Sequence, residues 1–156
     1  MSDDARFEDG REAPLNLGAL ETGDLEVISS LVQDAVFPAS EMRWDQKAAR
    51  FALLLNRVRW EDEGKTRHAP ERVQSVLVFS NVLAVASQGV PKGDADVILS
   101  LLTLSFEESE APSGHLLLTL AGDGAIRLKV EALEVTLKDV TRPYTAPSGK
   151  LPKHPE

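Results

Sequence analysis

The stretch Arg72–Val90, RVQSVLVFSNVLAVASQGV, restricts the fold more than any other part of the chain. In an extended backbone Val73, Ser75, Leu77 and Phe79 lie on one face, and Gln74, Val76, Val78 and Ser80 on the other. Successive strand side chains point to opposite faces, so a strand apolar on both faces is expected to be covered on both. At Ser80-Asn81 the rhythm shifts, and Leu83 and Val85 resume the alternation one step out of phase. A β-bulge inserts one residue in this way and bends the strand. The segment therefore reads as a long bent strand in the middle of a curled sheet. Two short strands joined by a kink are the alternative.

The rest of the chain supplies partners for that segment. Leu15, Leu17 and Leu20 alternate with smaller residues and suggest a short extended arm. Thr22–Val36 has Leu25, Ile28, Leu31, Val32 and Ala35 at spacings of three and four, which predicts an amphipathic helix. Thr22 is its candidate cap, Asp24 and Glu26 suit the first turn, and Pro38 stops it. EMRWD, Glu41–Asp45, reads as a short strand, and RFALLLNRVRWE, Arg50–Glu61, as a long one. Asp62–Glu71 reads as an exposed hairpin loop and Pro91-Lys92-Gly93-Asp94 as a turn. Val97–Glu107 favours a strand through its threonine, phenylalanine and serine pattern. His115–Ala121 and Ala125–Val130 are strands joined by Gly122-Asp123-Gly124, a hairpin connection. In the second of these Ile126, Leu128 and Val130 point in and Arg127 and Lys129 out. Glu131-Ala132 breaks the phase before Leu133, Val135 and Leu137 resume it.

Two segments read alike. FALLLN, a hairpin and VLVFSNVLAV match HLLLTL, a hairpin and IRLKVEALEV, with a phase break at the same place. Trp44-Asp45 and Phe106-Glu107 precede them. Each half then reads as a three-stranded antiparallel meander with a bulged third strand, and two meanders can pack face to face or close into a six-stranded barrel. The alternative is that amphipathic strands resemble each other by composition alone. The expected fold is α+β: a strongly curled antiparallel sheet or barrel with one N-terminal amphipathic helix packed on it. The domain is expected over 15–140, between a mobile tail at 1–14 and a mobile proline-rich tail at 141–156.

Of 156 residues, 42% are hydrophobic and 27% charged, and the formal net charge is −8. An acidic chain argues against binding a nucleic-acid backbone or an anionic membrane. Without cysteine there are no disulfides, thiolate metal sites or cysteine nucleophiles. The acidic start MSDDARFEDGREAP has no apolar core of a signal peptide, and no apolar run approaches the roughly 20 residues of a membrane span. A cytoplasmic protein is expected. No nucleophile elbow, P-loop, dinucleotide fingerprint or HExxH motif occurs, and the histidines, His68, His115 and His154, are scattered. No catalytic residue, metal or cofactor is assigned.

The strongest candidate for recognition is Arg43 and Trp44 with Arg57, Arg59 and Trp60. If their strands form a hairpin, two tryptophans and three arginines gather in one region. Such residues are enriched in binding hot spots, and arginine takes carboxylates and phosphates bidentately. The alternative is that the tryptophans are core and the arginines pair with acids of the protein itself. The function expected is non-catalytic binding or assembly, with a protein or anionic small molecule as partner and a homodimer open. The rival is a small-molecule-binding protein or enzyme with its site inside the sheet.

The series GDLEVIS with LVQDAV, then RFALLLNRVRWE, a VLAVxSxGV stretch, VILSLL and finally GAIRLKVEALEVTLxD resembles a small alphaproteobacterial family of unknown function, DUF2948-like, over about Leu17–Val140. The resemblance implies a bacterial cytoplasmic protein. It carries no activity, ligand or site residue.

Overall fold

The structure is a computed structural model that describes residues 14–62, 71–90, 96–142 and 144–145. The expected loop over 62–71 except its two end residues, the turn at 91–94 and most of both expected tails lie outside the described residues. The first elements of the described residues are strand β1 (Asn16–Ala19) and helix α1 (Thr22–Leu31). Strands β2 (Val36–Pro38), β3 (Met42–Asp45), β4 (Arg50–Val58), β5 (Glu71–Phe79) and β6 (Val82–Gln88) follow. The rest are β7 (Ile98–Glu108), β8 (Gly114–Leu120), β9 (Ala125–Val130), β10 (Val135–Asp139) and β11 (Tyr144–Thr145).

The fold is α+β, an antiparallel sheet with one helix among the described residues. Its strand order is β1-β10-β5-β4-β2-β7-β8-β9-β6, with β3 added to β4 and β11 to β5. The path ends at β1 and β6, which do not pair, so neither the barrel nor the strongly curled sheet is formed. Both expected meanders are present, as β3-β4-β5 and β7-β8-β9. What prevents closure is the use made of the strands after each phase break. β6 continues the first meander yet pairs with β9 of the second, while β10 continues the second and pairs with β5 of the first. The two halves exchange arms, and β2 adds a further link, pairing with β4 at Val36↔Asn56 and with β7 over Val36–Pro38.

The long stretch Arg72–Val90 is thus two strands, as in the kinked alternative. Asn81 sits between them at φ 61°, a left-handed conformation that asparagine tolerates better than most residues. Its amide reaches the Ala132 carbonyl, across to the other phase break. On β5, Val73, Ser75, Leu77 and Phe79 are fully buried, while Val76 and Val78 on the opposite face are only half-buried.

Helix α1 stops at Leu31, short of the expected Val36. The apolar spacing continues through Val32 and Ala35, and both are buried. Asp34, however, turns left-handed at φ 65°, and its N–H donates to the Leu101 carbonyl on β7. Val36 and Phe37 then satisfy their backbone on the sheet, a better site for β-branched and aromatic residues than another helical turn. The residue before the helix is Glu21, not the expected Thr22, and no side chain caps it. Leu25, Ile28 and Val32 face the sheet, each contributing about 1.5–3 kcal/mol by leaving water. They join Phe51, Leu53, Leu55, Leu77 and Phe79 of one meander and Leu101, Leu116, Leu118, Ile126 and Leu128 of the other in one contiguous core.

Candidate functional site

Strand β4 ends among charged residues. Alternation from Phe51, Leu53 and Leu55 directs the next same-face side chain, Arg57, into the interior, where it is completely buried. A buried charge is tolerated only when paired and fully hydrogen-bonded. Arg57 Nη2 donates to Asp139 Oδ1 and Oδ2 at 3.0 and 3.1 Å and to Glu61 Oε2 at 2.9 Å. Nη1 donates to Glu61 Oε1 at 2.9 Å and to the Val58 carbonyl at 3.3 Å. Nε donates to Ser75 Oγ at 3.1 Å and to Asp139 Oδ1 at 3.3 Å. Ser75 Oγ in turn donates to Asp139 Oδ1 at 2.7 Å, and the Leu15 N–H to Asp139 Oδ2 at 2.9 Å. A guanidinium has five N–H donors, and all five are used inside the protein. Burial pulls the Arg57 pKa down, but the hydrogen bond and charge of Glu61, followed by those of Asp139, more than offset it and hold the group above its ordinary value.

The neighbouring cations are occupied in the same way. Arg59, also buried, donates to Glu71 Oε1 at 2.5 Å and lies 3.8 Å from Glu61 Oε2. Arg72 donates to the Asn56 side chain and, at 3.1 Å, to the Asn56 carbonyl. Half-buried Trp60 begins a short helical turn after β4, and its Nε1 donates to the Gln33 carbonyl at 3.0 Å, tying the strand's end to the chain beyond α1. Arg57, Arg59 and Trp60 therefore lie in one region, where Arg57 and Arg59 belong to an internal ion-pair lattice joining β4, β5 and β10 and Trp60 is tied to the Gln33 carbonyl.

Arg43 and Trp44 are not part of it. β3 pairs with the opening of β4, placing Trp44 opposite Phe51 and Arg43 opposite Ala52. Phe51 and Arg57 are separated by six strand positions, roughly 20 Å. Arg43 is exposed, and Trp44 is half-buried against the core. The expected gathering of two tryptophans and three arginines fails because β3 covers only the first part of β4.

Two other features stand out. A half-open cavity of about 390 Å³ lies among Leu20, Glu21, Phe106, Glu108, Pro112 and Leu133, beside the start of α1. The second feature is strand β6, VLAVASQ, which has β9 on one side and, among the described residues, no strand on the other, although the Val82 N–H at its start donates to the Ala49 carbonyl. It carries no charge, and only Val82 of its residues is buried. Beside it a shallow trough of about 200 Å³ is lined by Ala84, Val85, Ala86, His115, Arg127 and Lys129. The sequence pattern places Arg127 and Lys129 outward, but the strand beside them comes from the other half of the chain. No local signal identifies it. Among the described residues no group of acidic and histidine side chains is arranged to hold a metal ion, and no helix is long and apolar enough to cross a membrane.

A model of a family described as "Protein of unknown function (DUF2948)" matches residues 15–154. No curated protein and no solved structure matches the chain.

Proposed function

The chain belongs to the DUF2948 family, and on that premise we propose that it is a non-catalytic binding or assembly protein that takes its partner along the open edge of β6. The bacterial cytoplasm, which the family resemblance implies, is its setting. The observation that carries this reading is a strand of seven residues without a charge or a proline that ends the strand order and, among the described residues, pairs with no strand on its outer side, where the Val82 N–H at its start donates to the Ala49 carbonyl. Natural edge strands are normally blunted by lysine, proline or a covering loop, because free N–H and C=O groups recruit another strand. Leu83, 46% exposed, adds an apolar contact at this edge. The arginine-tryptophan region supports the reading indirectly, since its cations are already neutralised by Glu61, Glu71 and Asp139.

A second reading rests on the cavity beside α1, whose mixed lining of Phe106 and Leu133 with Glu21 and Glu108 suits a small molecule. Photo-crosslinking in the native cell separates the two. A crosslinking side chain at Ala86 is expected to give a discrete protein adduct, and one at Leu20 none. Adducts only at Leu20, or none at Ala86 in folded protein, would overturn the edge reading.

A further inference from the structure

We infer that the β6 edge is built for an extended acidic peptide, one with carboxylate side chains two residues apart and apolar residues between them. This rests on the edge-binding reading above and adds the chemistry of the partner. In the register of β6 on β9, Ala84 stands opposite Lys129 and Ala86 opposite Arg127. Directly paired residues project from the same face, so two methyl side chains separate two cations from the open edge. Both cations are exposed, and among the described residues neither makes an ion pair. Arg57, Arg59 and Arg72 all have partners.

Sheet strands lie about 4.8 Å apart, so a strand added to β6 would run roughly 10 Å from β9. Arginine, lysine and glutamate are long enough to meet over that span, and alanine at 84 and 86 keeps the path clear. The trough is this clearance. On the same face charge changes sign across the sheet. Glu107 pairs with His115, His115 with Lys129, and Lys129 with Ala84, placing the acid farthest from the edge and the cations nearest. Asp123 and Glu131 stand near the two ends of β6 and confine the favourable positions to the middle. On the other face Val85, in register with buried Leu128, offers apolar contact to the intervening residues. Successive side chains of a bound strand alternate between these faces, which dictates the acidic–apolar alternation.

The test uses the full chain and labelled seven-residue peptides alternating valine with glutamate, glutamine or lysine, read by fluorescence anisotropy. The glutamate peptide is expected to bind about tenfold tighter than the glutamine peptide. That advantage should disappear in Arg127→Ala/Lys129→Ala and shrink as salt rises. N-methylation of one alternate set of peptide amides should abolish binding, and of the other set leave it. Equal binding of the glutamine or lysine peptide, still sensitive to N-methylation, would overturn the acidic preference and leave edge docking standing. Binding indifferent to N-methylation, or no binding by any peptide, would overturn both. A dimer in sedimentation that Leu83→Lys dissociates, and that peptide does not displace, would assign the edge to a second copy and overturn the acidic partner.

Discussion

Arg57 and Asp139 stand 82 positions apart in the chain and meet in the interior, with Nη2 3.0 and 3.1 Å from the two carboxylate oxygens. The pair joins β4 to β10, and through the Leu15 N–H it also holds the residue just before β1. Removing one partner of a buried pair costs far more than the net worth of the pair, because the remaining charge stays buried. Asp139→Leu and Arg57→Met are each expected to destabilise by about 3–5 kcal/mol in urea unfolding, and the double variant by less than either single one. Arg57→Ala/Arg59→Ala should also melt well below the parent protein. An unchanged melting temperature would mean that the lattice does not hold the fold.

The raised pKa of Arg57 fixes a pH dependence. A basic group whose folded pKa exceeds its unfolded value contributes fully below the unfolded pKa, and loses the contribution only as pH rises through the folded one. Both lie in or above the ordinary arginine range. The stability gap between the protein and Arg57→Met is therefore expected to stay constant from about pH 7 to about pH 10. Urea unfolding of both proteins at the two pH values checks it, and a gap that closes by pH 10 contradicts it.

The Trp60 side chain makes one polar contact among the described residues, Nε1–H to the Gln33 carbonyl. Trp60→Phe removes the donor and keeps an aromatic ring, so a loss of about 1 kcal/mol is expected. Trp60→Ala should cost more, since packing is lost as well. The ratio of the two losses in denaturant titrations measures the hydrogen bond against the packing.

Gly114 opens β8 where no other residue fits. A Cβ there would stand 2.3 Å from the Glu107 carbonyl oxygen and 2.7 Å from the Phe106 ring. Gly114→Ala must force β7 and β8 apart and is expected to cost at least about 2 kcal/mol. Gly23, in the first turn of α1, has nothing within 4 Å. Gly23→Ala should stabilise by about 0.5 kcal/mol through the unfolded chain's lost freedom. Thermal melts of the two variants should move in opposite directions.

Asn81 directs β6 away from β5 and toward β9. Asn81→Gly keeps the left-handed backbone available, so its cost is limited to the amide contacts, about 1 kcal/mol. Asn81→Val places a β-branched residue at positive φ and should cost more. If the valine variant proves as stable as the glycine variant, the φ constraint is not what sets the junction.

What the sequence determined by itself is everything whose cause is local. Strand alternation has a period of two and helix burial a period near four, so Phe51, Leu53 and Leu55 could be assigned to one buried face from the sequence alone. The hairpin at Gly122-Asp123-Gly124, the two meanders and the phase breaks at Ser80-Asn81 and Glu131-Ala132 were legible for the same reason. Helix α1 was overextended because Val32 and Ala35 keep its spacing, while the event that ends it, the Asp34 N–H donating to Leu101, is a contact with a distant strand. Arg57 showed the same limit. Its place on an apolar face was legible, but the choice between ligand and internal partner depended on Asp139, 82 residues away. Tertiary structure alone decided that β6 and β10 exchange meanders, because strand pairing is made by backbone groups that every residue carries and side-chain pattern does not name the partner. That exchange leaves β6 at the end of the strand order with Arg127 and Lys129 beside it, and keeps the sheet from closing.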